Sequence, residues 1–290
     1  MIQAVTHNGD FHSDDIFASA LLCMIYPDID IQRSRDAHDI ETADIVFDVG
    51  GIYDPVRKRF DHHQNGGAGE RPNGIPYASF GLVWKEYGEQ VCGSKEVASM
   101  IDSKLVAPID AIDNGIDICT PVVDSVSPYS VQAMFSVFTP TYSETSDRDE
   151  IFAEMSRWAK TILAREIFVA QSYVDARLKV AAAYEEATTK EIIVIPEAYP
   201  ISLFQEYADV LFVVYPDAVG TGWRAKAMRK TPDCFDVKKP FPAEWAGLDN
   251  EKLQQVTGVS TALFAHQKQF LVGASTQADA IALAKLALQL

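Results

Sequence analysis

Residues 2–6, IQAVT, alternate and stop at His7, as a short strand does. Residues 14–26, DDIFASALLCMIY, place their apolar positions at helical spacing, and Pro27 ends the run. Asp14 and Asp15 suit the first turn of that helix, where the dipole favours anions. IDIQRS (29–34) and ADIVFDVG (43–50) read as two further strands. Strand, helix, strand and strand predict the start of a parallel α/β sheet. Helical spacing returns in YASFGLVWKEYGEQV (77–91) and SKEVASMIDSKLV (94–106), and APIDAIDNG (107–115) closes on an Asn-Gly turn signal. From Asp147 to about Ala187 the chain is nearly free of Gly and Pro and fits one long helix or two in series. Beyond Glu191, EIIVIP, VLFVVYP and GWRAKAMRK are strand-like and LDNEKLQQVTG is helical. ALFAHQKQFLVGAS reads as a hairpin, and AIALAKLALQL as an amphipathic surface helix.

The expected class is therefore α/β. A parallel-sheet N-terminal domain spans 1–146, a long helical connector 147–189, and a smaller α/β C-terminal domain 190–290. A length of 290 residues permits two cores of this kind. The formal net charge of −16 makes the whole-molecule field repel nucleic acid and anionic membranes, so a polyanionic substrate needs local cations or a basic groove. No signal peptide is read at the start, and no run approaches the ~18 apolar residues of a membrane helix. Cys23, Cys92, Cys119 and Cys234 are scattered without CxxC spacing, which suits free thiols and a cytoplasmic setting.

Five of the six histidines, His7, His12, His38, His62 and His63, fall within the first 63 residues. Carboxylates gather beside four of them. THNGDFHSDD holds His7, Asp10, His12, Asp14 and Asp15, and IVFDVGG holds Asp48. RFDHHQ holds Asp61, His62 and His63, and IDAIDNG holds Asp110 and Asp113. These clusters fall at or just after strand ends, where open α/β sheets bind ligands, so they are expected to converge. Imidazole mixed with carboxylate and no cysteine argues against a structural zinc site. His7, His12, Asp14, Asp48, His62 and Asp113 are more groups than one ion needs, and point to two divalent ions. The N/O donor set favours Mn²⁺, with Mg²⁺, Zn²⁺ or Co²⁺ as alternatives. Asp10 is read as a loop acid and Asp15 as a helix-dipole residue, and both are left out of the ligand set. Asp110 is balanced between an acid behind the ligands and ordinary helix surface. Arg57-Lys58-Arg59 is as consistent with a solvated edge strand as with a phosphate grip.

Asp61-His62-His63 resembles the signature of the DHH phosphoesterases. The composite THNGDFHSDD … FDVGGIYDP … RFDHHQ … IDAIDNG … GWRAKAM … PAEWAGL closely resembles one branch, the melanocyte proliferating gene (MYG) family, over nearly the whole chain. That resemblance implies a metal-dependent 3′–5′ RNA exonuclease. His7, His12, Asp14, Asp48, His62 and Asp113 match its metal ligands, with Asp48 bridging the ions. It implies that His63 faces the scissile phosphate and that Asp61 orients a histidine from behind. It also implies that the second lobe grips substrate. Arg224, Lys226 and Arg229 suit one strand face or its edge, and Trp223, Trp245 and His266 suit a base. Asn65 stands where the family usually has a basic residue after DHHQ, and LVGAS departs from its Gly-Gly-His/Arg pattern. Both departures remove phosphate contacts.

The expected activity is a two-metal phosphodiesterase acting through metal-activated hydroxide on RNA or a short oligonucleotide. The alternatives are hydrolysis of a small phosphoanhydride or cyclic dinucleotide, or a non-catalytic metal-binding scaffold. No membrane partner is expected, and oligomeric state is left open, a homodimer included.

Overall fold

A computed structural model describes residues 1–290 and resolves into two compact units, Met1–Gln171 and Ser172–Leu290. In the first, β1 (Gln3–Thr6), β2 (Asp30–Arg33), β3 (Ile45–Phe47), β4 (Tyr53–Asp54) and β5 (Arg59–Phe60) form one sheet in the order β2-β1-β3-β5-β4. The first four in that order run parallel and β4 closes the edge antiparallel. The helices of this unit are α1 (Ser13–Ile25), α2 (Ala37–Thr42), α3 (Ser79–Cys92), α4 (Lys95–Ile101), α5 (Ala107–Asp113) and α6 (Val131–Ser136). The unit also holds the first part of α7 (Arg148–Glu186).

The local reasons are familiar ones. Helix α1 is mostly apolar, and every residue from Ser13 to Leu22 is buried, the polar Ser13, Asp14, Asp15 and Ser19 included. It ends one residue before the Tyr26-Pro27 pair, because proline disfavours helical geometry in the residue before it. Pro108 cannot donate to a carbonyl one turn back, and the residues just before α5, Asp102–Val106, widen into a π-helical turn that joins α4 to α5. Helix α2 lies outside the elements read from the pattern. It is a single capped turn and a half, with Asp36 accepting from the His38 backbone N–H.

Within the basic run, Arg59 is held by the fold while Arg57 stays exposed. Strand β5 lies between β3 and β4 rather than at the edge. Arg59 donates to the main-chain carbonyls of Ala43 and Arg57. Lys58 takes a left-handed conformation (φ 55°), with its ammonium 5.4 Å from the Tyr26 ring centre. Arg59 therefore has its guanidinium engaged by main-chain carbonyls and is not a free phosphate grip.

The connector expected over 147–189 is one continuous helix, α7, and the division between the two units falls inside it, after Gln171. Its early residues Phe152 and Met155 are buried in the first unit, and Ala176 and Val180 join a core cluster of the second.

The second unit contains β6 (Ile192–Val194), β7 (Phe212–Pro216), β8 (Trp223–Ala227), α8 (Asn250–Thr257), β9 (Ala262–Ala265), β10 (Leu271–Ala274) and α9 (Gln277–Gln289). Its sheet order is β6-β7-β8-β10-β9, with only the β6–β7 pair parallel. Alternation along β7 sends Phe212 and Val214 into one core with Leu283 and Ala287 of α9. Val213 goes to the other core, with Val180 of α7. Trp245 is 2% exposed and packs on Phe241 in the first of these cores, so it has no free face for a base. Trp223 is partly buried against the same core.

Candidate metal centre

The sheet order explains how residues far apart in sequence come together. β1, β3 and β5 are adjacent and parallel, so the residues after their C-terminal ends sit side by side at about 4.8 Å per strand. Those residues are His7, Asp48, and the Asp61-His62-His63 run. Strand β1 is joined to α1 by a short loop, which brings His12, Asp14 and Asp15 to the same end of the sheet. Asp113 arrives from the last turn of α5. Three overlapping sets have donor atoms that all lie within 4.8 Å of one another. They are His7/His12/Asp48, His12/Asp14/Asp113, and Asp48/Asp61/His62/His63.

Asp48 occupies the middle. It is a non-glycine residue at φ 56°, a conformation that is uncommon outside turns and functional sites. Its Oδ2 lies 3.1 Å from His7 Nε2, and its Oδ1 lies 3.3 Å from His62 Nε2 and accepts a 3.0 Å hydrogen bond from Ser79. Burial works against the Asp48 carboxylate, yet the hydrogen bonds from His62 and His7 outweigh it and hold its pKa far below the ordinary value. His62 Nε2 also lies 3.3 Å from Asp113 Oδ2, while His12 Nδ1 is 3.6 Å from Asp113 Oδ1.

His7 shows how the tautomers are set. Its Nδ1 lies 3.1 Å from the Asn8 carbonyl, which can only accept, so Nδ1 carries the hydrogen. That leaves Nε2 facing two carboxylates, Asp15 Oδ2 and Asp48 Oδ2, at 3.1 Å each. Burial lowers the His7 pKa, but hydrogen bonds to Asp15 and Asp48 raise it further, to about 10 without a cation. With a divalent cation in the cluster, the same Nε2 offers a lone pair.

Asp14 tests whether a cation fits. It is wholly buried, and neither carboxylate oxygen has a hydrogen-bond partner. Burial first, then Asp48, Asp113 and Asp15, push its pKa well above the ordinary value. Asp113 is near enough to share a proton, but two carboxylates provide no donor unless one is protonated. An orphaned buried carboxylate among like charges is costly, and a divalent cation removes the cost. The donor set present therefore fits a hard or borderline metal ion.

Asp61 and His63 form a distinct pair within the cluster. Asp61 is 1% exposed and accepts through Oδ1 from the backbone N–H groups of His62 and His63 and from His63 Nδ1 at 2.7 Å. Its Oδ2 accepts from Gly51 N at 2.5 Å. The His63 side chain is 62% exposed, so its Nε2 edge faces outward.

Other candidates fall elsewhere. Asp15 does stand in the first turn of α1, as the helix-dipole reading has it, but it also borders the cluster. It is wholly buried, caps α1 by accepting from His12 N at 2.9 Å, and flanks His7. Asp110 is neither helix surface nor part of the cluster. It is buried and bound to Arg71 Nη1 at 2.7 Å and to Gly81 N at 3.0 Å. Arg71 also grips Asp102, which ties the glycine-rich loop to the π-helical turn and to α5. Asp10 is exposed and pairs with Arg148. Sequence reasoning passed over Arg71, Ser79 and Arg33. No local signal marks them, because their partners lie between 24 and 116 residues away.

Arg224, Lys226, Arg229 and His266 belong to the second unit. Arg224 and Lys226 share one face of β8, while Arg229 lies two residues past the strand end. Arg224 pairs with Asp217 at 2.9 Å and lies over Phe264, and Gly273 leaves it room, since a Cβ there would meet its Nη1 at 2.9 Å. Arg229 lies over the Phe235 ring. His266 packs against Phe270 and accepts through Nδ1 from Lys268 N.

All four cysteines are unpaired. No helix is long and apolar enough to cross a membrane.

Comparison with known proteins bears on the whole chain. The family MYG1_exonuc, described as an uncharacterised protein family (UPF0160), matches residues 3–288. MYG1 protein C27H6.8 of Caenorhabditis elegans is 30% identical, covering 98% of this chain and 94% of its own. MYG1 exonuclease of Homo sapiens is also 30% identical, covering 98% of this chain and 85% of its own. Among solved structures, a pGpG-specific phosphodiesterase, PggH from Vibrio cholerae, aligns over 99% of this chain and 97% of its own. Its TM-score of 0.31 and identity of 14% are too low to bear on function. Matched from end to end, the chain belongs to the MYG1_exonuc family.

Proposed function

We propose that this protein is a metal-dependent phosphodiesterase that removes nucleotides from the 3′ end of RNA or short oligonucleotides. The observation that carries the metal reading is Asp14, a buried carboxylate without a donor, next to Asp48 and Asp113. The nuclease reading draws on the human relative, whose name is MYG1 exonuclease. His7, His12, Asp14, Asp48, His62 and Asp113 are the proposed ligands of two divalent ions, with Asp48 shared, and Mn²⁺ is the favoured metal. Two such ions, when bound, supply Lewis-acid activation of water and neutralise phosphate charge.

The chain's own groups do the rest. Ser79 and the left-handed backbone hold the Asp48 carboxylate in place. His63 contacts the scissile phosphate through Nε2, while Asp61 keeps its Nδ1 side fixed. Arg224, Lys226, Arg229 and His266 are proposed to bind the substrate away from the reacting bond.

The direct test supplies Mn²⁺ to the chelated protein with oligoribonucleotides labelled at either end. Stepwise loss from the 3′ end is expected, and Asp48→Ala is expected to abolish it with the circular dichroism spectrum unchanged. Absence of hydrolysis of any phosphodiester would overturn the reading. The net charge of −16 favours a second one, a small phosphoanhydride or cyclic dinucleotide as substrate. A length series run beside pyrophosphate separates the two.

A further inference from the structure

The loop from His7 to His12 carries two of the proposed ligands, and its shape decides whether both reach Asp48. Its backbone is unusual at Gly9, where φ is +102°. One side chain holds it there. Arg33 is the last residue of β2 and lies opposite Thr6 of β1, beside the strand end that leads into the loop. Its side chain is 2% exposed. Nη2 donates to the Gly9 carbonyl at 2.8 Å and Nη1 to Asp149 Oδ1 at 2.9 Å. The guanidinium carbon lies 5.7 Å from the ring centre of Phe11, itself a loop residue, and 4.8 Å from that of Phe152. Asp149 is the second residue of α7. The first, Arg148, holds Asp10 of the same loop.

The energetics argue against a purely stabilising role. A buried guanidinium loses most of its hydration, and its single carboxylate partner is 65% exposed, so the pair adds little stability. Its Nε has no partner at all. What the arrangement does provide is geometry. The planar fork fixes a backbone carbonyl, a carboxylate and an aromatic face at once, which an ammonium cannot do.

We propose that Arg33, oriented by Asp149, is a positioning residue that sets the conformation of the His7–His12 loop and so the spacing of its two metal-binding histidines. This rests on the reading of His7 and His12 as ligands.

The test uses the full chain with Arg33→Lys, Arg33→Met and Asp149→Asn. Hydrogen exchange of the metal-free proteins reads the clamp alone, and calorimetric titration with MnCl₂ reads its consequence. All three variants are expected to exchange the amides of residues 8–12 faster than wild type. Both Arg33 variants are expected to bind Mn²⁺ about 10- to 100-fold more weakly, the range found for groups that orient metal ligands. Lysine is expected not to rescue. Turnover should return at saturating Mn²⁺ with substrate KM unchanged. Asp149 is largely exposed, so Asp149→Asn keeps the test open if the Arg33 variants do not fold. Wild-type exchange in the loop, or stronger Mn²⁺ binding by Arg33→Met, overturns the proposal. If wild type takes up no Mn²⁺ while the loop still loosens, the metal reading fails and the clamp stands only as a backbone brace, which also overturns the positioning role.

Discussion

His63 Nδ1 sits 2.7 Å from Asp61 Oδ1, and the same oxygen accepts the backbone N–H groups of both His62 and His63. One buried carboxylate thus sets the turn and the ring direction of the only highly exposed histidine of the Asp-His-His run. Asp61→Asn keeps the volume but puts an amide N–H₂ or a weaker acceptor where three donors converge. The expected result is a fall in kcat of about 10²-fold, with substrate KM and Mn²⁺ content near wild type. Metal analysis beside steady-state kinetics checks this, and loss of Mn²⁺ from the variant would make Asp61 a ligand instead.

Asp14→Asn is expected to act in opposite directions on stability and function. The metal-free variant should melt a few degrees above wild type, because a wholly buried carboxyl without a hydrogen-bond donor has been replaced by a group that cannot ionise. The rise in melting temperature on adding Mn²⁺ should shrink sharply, and turnover should be lost. Thermal melts with and without MnCl₂ decide it. A metal-free variant less stable than wild type contradicts the orphan-carboxylate argument.

The metal-free protein should lose stability as pH rises from about 6.5 towards 10, the interval over which His7 loses its proton in the unfolded chain before it does so in the native state. Asp14, Asp15 and Asp113 have pKa values raised chiefly by burial, so above pH 4 the native state holds protons that the unfolded chain has released. Stability then falls as pH rises through the folded values. His7 adds to the trend. Its value is raised from 6.5 to about 10, so its contribution is complete below 6.5 and lost towards 10. His62 is raised in the same sense, opposed by burial and favoured by Asp48. Asp48, lowered by His62 and His7 against its burial, contributes above its unfolded value of 3.8 and is lost only in acid. Stabilisation by Mn²⁺ should accordingly grow with pH. Denaturant midpoints at a series of pH values, with chelator or with MnCl₂, test both slopes.

Gly81→Ala tests the brace behind α5. A Cβ at this position would lie 1.8 Å from Asp110 Oδ2 and 2.9 Å from Arg71 Nη2. The buried ion pair must move, and a loss of about 3 kcal/mol or more is expected from urea unfolding. A change below about 0.5 kcal/mol would show that the pair is not held as described.

Much of this molecule was written locally. Period-two and helical runs marked β1, α1, β2, β3 and α3, because burial of one face or all faces leaves its trace in consecutive residues. The ligand-bearing clusters were legible for the same reason, since each is a few residues long and lies beside a strand or helix end. Strands of two residues such as β4 and β5 are too short to carry a period, and the one-and-a-half-turn α2 is too short to show a stripe.

Tertiary structure alone decided the order β1-β3-β5 that brings His7, Asp48 and His62 side by side, and it decided where single long side chains end. Beyond its neighbour Arg57, Arg59 donates to carbonyls 15 and 16 residues back and Arg71 to a carboxylate 39 residues ahead, while Trp245 disappears into a core. A guanidinium reaches several ångströms from its own backbone, so its partner is set by which elements the fold packs beside it and not by its neighbours in the chain. Asp14 and Asp15 make the same point at adjacent positions. Both read as first-turn acids, yet one meets the His12 backbone and His7 while the other is left facing carboxylates, because successive helical residues point about 100° apart into different surroundings.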